Sequence, residues 1–89
     1  MATVNGNSGN NNLSGTSGRD ILNGFGGNDT LNGGDGIATL SGDYTDLYGG
    51  NANDYLSSDF SGNLYGGNGN DTLDGDDNSQ LYGEAGNDV

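Results

Sequence analysis

The chain has 89 residues, 28% of them hydrophobic, with 20 glycines, 13 acidic residues against the single base Arg19, and a formal net charge of -12. That is at most one small domain, too poor in apolar material for an ordinary core, and its composition leans towards disorder unless something besides hydrophobic burial holds it. One arginine cannot neutralise a phosphate backbone or follow an anionic lipid surface, which argues against nucleic acid and membranes as partners and in favour of cations.

Residues 1–5 read as a lead-in. From Gly6 a unit of nine residues recurs: a glycine-rich hexad ending in an acid or amide, then a polar-leucine-polar triplet with the alternation of a short strand. The full units are GNSGNNNLS (6–14), GTSGRDILN (15–23), GFGGNDTLN (24–32), GGDGIATLS (33–41), GGNANDYLS (49–57) and GGNGNDTLD (66–74). Between the later ones lie shortened units without the hexad, GDYTDLY (42–48), SDFSGNLY (58–65) and GDDNSQLY (75–82). The last stretch, GEAGNDV (83–89), stops before its leucine, so the repeat region 6–89 reads as truncated at its C-terminal end.

The leucines carry the period. Leu13, Leu22, Leu31, Leu40, Leu47, Leu56, Leu64, Leu73 and Leu81 are 9, 9, 9, 7, 9, 8, 9 and 8 residues apart. After Gly42 full and short units alternate, and LYGG at Leu47, LYGG at Leu64 and LYGE at Leu81 recur every 17 residues. Two units therefore make one coil of a solenoid that runs out along one sheet and back along another. The leucines fall into two facing rows, Leu13, Leu31, Leu47, Leu64 and Leu81 opposite Leu22, Leu40, Leu56 and Leu73. The two loop edges differ: one carries Asp20, Ala38, Asp54, Asp71 and Asp88 at the hexad end, the other Asn11, Asp29, Asp46, Asn63 and Gln80.

Gly66-Gly67-Asn68-Gly69-Asn70-Asp71-Thr72-Leu73-Asp74 fits the pattern G-G-x-G-x-D-x-U-x at every defined position, and looser copies cover nearly the whole chain. In this the chain resembles the RTX (repeats-in-toxin) family of hemolysin-type calcium-binding repeats. The resemblance implies an all-β fold, a right-handed parallel β-roll of about five coils stabilised by Ca2+. It also implies that each ion lies between loops one coil apart, and that such proteins are bacterial and extracellular, secreted unfolded through type I machinery. The residue types agree independently. Glycines let the backbone turn carbonyl oxygens to one point, and with no His or Cys the donors are hard oxygens, suited to calcium rather than zinc or copper.

The expected metal ligands are the carboxylates of Asp54, Asp71 and Asp88, with Asp20 and Asp29 next. The expected carbonyls are those of hexad positions one and three, Gly49, Asn51, Gly66, Asn68, Gly83 and Ala85. The plain alternative for each aspartate is an Asx turn that bonds only its own backbone. Stacking coils at about 4.8 Å, however, brings like carboxylates together, which favours cations between them; roughly five divalent ions would offset most of the charge.

Tyr48, Tyr65 and Tyr82 each follow a row leucine and so point outward, one above another; a ladder that aligns the coils is the simpler use, a surface for a sugar or partner the other. Asn51, Asn53, Asn68, Asn70 and Asn87 form outward rows on the hexad edge, which leaves an adhesion or ice-binding surface as the alternative function. The sequons at Asn12, Asn28 and Asn70 are generated by the repeat itself, and Asp74–Ala85 lacks the Gly and Glu of an EF-hand loop. Without His, Cys or Lys, and without a cleft to separate two carboxylate pKa values, the chain does not read as an enzyme. No cysteine and no apolar run of signal-peptide or membrane-spanning length occurs, so a route out of the cell would be encoded elsewhere. The reading is a module that folds on binding calcium, alone or as part of a larger exported protein, with end-to-end self-association open to it at the exposed last coil.

Overall fold

A computed structural model describes residues 2–75, 79–84 and 86. Among these, nine strands and no helix occur: β1 Ala2–Asn5, β2 Asn12–Ser14, β3 Asp20–Asn23, β4 Asn28–Asn32, β5 Ala38–Tyr48, β6 Tyr55–Ser61, β7 Asn63–Tyr65, β8 Thr72–Asp74 and β9 Gln80–Tyr82. All pair in parallel, in two stacks. One stack runs β1, β3, the first half of β5, β6 and β8; the other runs β2, β4, the second half of β5, β7 and β9. Each holds five strands, hence four steps of the coil, and the molecule is an all-β parallel solenoid.

The register follows the leucines. Val4, Leu22, Leu40, Leu56 and Leu73 stand opposite one another in the first stack, and Leu13, Leu31, Leu47, Leu64 and Leu81 in the second. Ala2–Asn5, expected as a lead-in, forms the first strand, with Val4 opening the row of Leu22, Leu40, Leu56 and Leu73. A period-two alternation buries these residues and turns their neighbours outward, as in the pattern across β4. Leu22, Leu31, Leu40, Leu47, Leu56 and Leu64 are fully buried, whereas Leu81 at the outermost described strand is 48% exposed. The body measures 32 × 29 × 12 Å, so the core is one layer of side chains between two sheets.

Where the repeat predicts two separate sheets, β5 joins the stacks into a single nine-stranded sheet. Its eleven residues span the short unit Gly42–Tyr48, which has no hexad to form a loop, so the chain turns the corner while still paired. The pairing shifts register between Gly42 and Tyr44, and Ser58 Oγ donates to the Asp43 carbonyl (3.1 Å) inside the bend.

This bend corrects one expectation about the second edge. Unit spacing aligns Asp46 with Asp29, but the pairing sets Asp29 opposite Thr45 and Asp46 opposite Thr30. The inward position beyond Asp29 is therefore held by Thr45, Gly62 and Ser79, while Asp46, Asn63 and Gln80 form an outward row. In the short units the residue before the leucine replaces the one two before it, and a shift of one residue moves a side chain to the other face.

Candidate metal centre

The loops that share a common course lie between the second stack and the first: 15–20, 33–38, 49–54 and 66–71. Each begins where a strand ends. The N–H of the first glycine donates to the carbonyl of the last strand residue one coil further on, as Gly49 to Tyr65 and Gly66 to Tyr82 (both 2.8 Å). At the second position Gly34, Gly50 and Gly67 have φ of 92°, 93° and 87°, the left-handed region that reverses the chain. Asn51 and Asn68 then donate their N–H to the Gly34 and Gly50 carbonyls, tying loop to loop. Ala52, at φ 75°, shows that a side chain is accepted at the fourth position at some local cost.

The first glycine matters for a different reason. A Cβ on Gly49 would meet both Asp54 Oδ2 and the Gly66 carbonyl oxygen at 2.6 Å; on Gly66 it would meet Asp71 Oδ2 at 2.5 Å and the Gly83 carbonyl at 2.8 Å. The same place in the 15–20 loop is bounded by Asp20 Oδ2, at 2.7 Å, and the Gly33 carbonyl. In these three hexads, then, the missing side chain leaves a space that a carboxylate oxygen borders from its own loop and a carbonyl oxygen from the next. The Gly33 carbonyl is not among the expected ligands, because Ala38 replaces the aspartate of its unit; the signal that could have found it is the unit's first glycine.

Asp20, Asp54 and Asp71 are buried, at 0%, 3% and 1% exposure, and so is Asp29 on the other edge at 3%. Asp54 Oδ1 accepts from the Ala38 N–H (2.8 Å), and Asp71 Oδ1 accepts from the Asp54 N–H (2.9 Å), so these carboxylates reach across coils rather than only closing an Asx turn. Asp20 closes its own loop, accepting from the Thr16 N–H at 2.6 Å and from the Thr16 hydroxyl. Asp29 Oδ1 accepts from the Asn11 N–H (2.7 Å). Among the described residues Asp54 Oδ2 and Asp29 Oδ2 are buried and make no hydrogen bond.

Burial is what raises the Asp54 pKa to about 7; the bond from Ala38 opposes the rise and the Asp71 charge adds to it. No basic side chain offsets this, since the only base is Arg19 and it is exposed. An oxygen-lined space, a buried carboxylate oxygen lacking a donor and a missing counter-charge are together suited to a hard cation. Among the described residues no three carboxylates converge as a ready-made metal cluster, so an ion here would take much of its shell from carbonyls. Asn51 and Asn68 direct their side chains outward, where Asn68 Nδ2 donates to Asn51 Oδ1 and Asn51 Nδ2 to Asp35 Oδ1 (both 3.0 Å). The expected ligands Ala85 and Asp88 lie outside the described residues.

The other edge keeps two hexad loops: in 6–11 the first glycine faces the amide oxygen of Asn11 and the Gly24 carbonyl, and in 24–29 it faces Asp29 Oδ2 at 2.7 Å. Past these the turn contracts around Thr45, whose buried hydroxyl also makes no hydrogen bond among the described residues. A groove of about 460 Å³ on this side, lined by Asn28, Asp29, Tyr44, Thr45, Asp46 and Asn63, lies away from the 49–54 and 66–71 loops.

No curated protein and no solved structure matches the chain. The model of the RTX calcium-binding nonapeptide repeat matches in four copies, over residues 5–40 and 65–89. The interval it leaves, 41–64, holds the bend of β5, the full unit 49–57 and the shortened units 42–48 and, but for its last residue, 58–65. By loop course, leucine register and this match, the chain belongs to the RTX calcium-binding nonapeptide repeat family.

Proposed function

We propose that this calcium-binding repeat module folds when Ca2+ enters the hexad edge, and that its role is structural. The observation that supports this most directly is Asp54, a buried carboxylate with one oxygen unbonded among the described residues, beside the Gly66 carbonyl and with no basic side chain to offset its charge. Calcium there would be held by Asp54 with Gly49, Asn51 and Gly66, and in the next interval by Asp71 with Asn68 and Gly83 together with Ala85 and Asp88. Asp20 and Asp29 would serve the earlier coils. The ion supplies positive charge between stacked carboxylates, so its binding free energy becomes folding free energy.

Proteins built on such repeats are typically secreted by bacteria, and the proposed setting is extracellular, within a larger exported protein that leaves the cell unfolded by a type I route. A further coil or a second copy would cover Leu81 on the outermost described strand. A calcium titration followed by far-UV circular dichroism, with chelator reversal and magnesium as control, should convert coil to strand. A full strand spectrum already present in chelator would defeat the proposal.

A further inference from the structure

On the outer face of the second stack Tyr48, Tyr65 and Tyr82 lie in register on β5, β7 and β9. Their ring centroids are 4.8 and 4.9 Å apart, with planes 4° and 7° from parallel. Tyr48 and Tyr82 are 37% and 43% exposed, so a small oxidant or an enzyme-borne radical reaches them from solvent. The other described tyrosines stand in rows without a second tyrosine: Tyr44 is paired in the sheet with Asn28 and Ser61, and Tyr55 with Thr39 and Thr72. Cysteine and tryptophan are absent and methionine occurs once, which leaves few competitors for a one-electron oxidant.

We propose that this ladder is a site of oxidative modification, at which neighbouring rings couple to dityrosine and join successive coils covalently. Each phenol loses one electron and its hydroxyl proton to give a phenoxyl radical. Two radicals form a carbon–carbon bond between ring positions ortho to the oxygens, and the two ring C–H protons return to those oxygens. In sum two hydrogen atoms leave the pair. The co-reactant is hydrogen peroxide with a heme peroxidase: the peroxide takes up two electrons and two protons and becomes two waters.

The inference rests on the coil stacking and not on the metal loops; because the proposed function makes that stacking depend on Ca2+, the folded chain is tested in calcium buffer. Its driving term is proximity, because residues 17 apart in sequence are held face to face before either is oxidised. The test uses the full chain, diluted, with folding verified by circular dichroism before oxidation. After treatment with a heme peroxidase and hydrogen peroxide, a monomer lighter by two hydrogens per bond is expected, with peptide mapping placing the link at Tyr48–Tyr65 or Tyr65–Tyr82. Tyr65→Phe keeps an aromatic ring in the ladder and should abolish the intramolecular link, whereas Tyr44→Phe and Tyr55→Phe should leave it. The chain in guanidinium should yield roughly tenfold less of the link, having lost the preset encounter. Equal yield when unfolded, links to Tyr44 or Tyr55, dimers alone, or a link that survives Tyr65→Phe would each overturn the proposal.

Discussion

The two edges of the roll begin alike and end differently. On one, the loops 15–20, 33–38, 49–54 and 66–71 repeat a single course, with a carboxylate at the end of all but the second. On the other, the course is lost after Asp29: the chain turns through β5 without leaving the sheet, and Thr45 and Gly62 occupy the inward place. The contrast teaches that the hexad is not needed to turn the chain, since the short units do so with fewer residues. What the hexad adds is a space bordered by oxygens from two coils. That space has a cost, visible in the buried Asp54 with its pKa at about 7, which a plain turn would not incur.

The largest difference is expected between Asp71→Ala and Asp46→Ala. Asp71 is buried and receives the Asp54 N–H, so its loss removes a carboxylate from the middle of the ladder and frees a buried donor. The calcium midpoint of folding should rise on the order of tenfold or more, since affinity in such sites follows the count of charged ligands. Asp46 lies on the outward row, and its removal should leave the midpoint within about twofold, as for ordinary surface changes. Equal shifts in the two titrations would mean that the edges are not distinct in ion binding.

Much of this contrast is legible in the sequence, and the places where it is not have a common cause. The leucine rows, the outward tyrosines and the inequality of the edges follow from a strict period, because alternation fixes which face a residue takes. The family pattern points to the hexad aspartates, and Asp54 and Asp71 do lie buried beside their first glycines. The short units carry no such pattern, and there chemical likeness misleads: Asp46 resembles Asp29, yet Thr45 takes the inward place because pairing counts residues and not charges. The continuity of β5 is hidden for a related reason. Gly42 looks like the start of another loop, but in the bend it fits where a Cβ would run into the Thr45 side chain.

Ala38→Asp asks whether the gap in the ladder can be filled. Ala38 lies opposite Asp20 and is 1% exposed; its methyl sits 2.7 Å from where a Gly33 Cβ would be, the place that Asp54 Oδ2 takes beside Gly49. A carboxylate there should destabilise the chain in chelator by repulsion and desolvation, and lower the calcium midpoint severalfold, on the order of one added charged ligand. The two signs, read by circular dichroism with and without calcium, separate an ion site from a mere packing position.

A smaller and graded effect is expected from pH. The Asp54 pKa rises from 3.8 to about 7 on folding, chiefly by burial, so between those values the folded chain holds a proton that the unfolded chain has released. Stability of the ion-free chain therefore falls as pH climbs through that window and is least above it. In chelator the strand signal should be stronger near about pH 4 than near about pH 8, and Asp54→Asn should flatten the profile, because the amide keeps its acceptor for Ala38 and does not ionise.

The smallest effect belongs to the short-turn edge. Thr45 is 1% exposed and its hydroxyl makes no hydrogen bond among the described residues, so the fold buries a polar group there without compensation. Valine is β-branched like threonine, suits a strand equally, and replaces that hydroxyl by a methyl of similar size. If the contracted edge is only a turn, Thr45→Val should stabilise the calcium-loaded chain by up to about 1 kcal/mol, the scale of an unsatisfied buried hydroxyl, with the calcium midpoint improved only to that extent. If the Thr45 hydroxyl and Asp29 Oδ2 instead share an ion across the two coils, the same substitution removes a ligand and both quantities move the other way. Thermal melting at saturating calcium, set beside the titration, reads the sign directly.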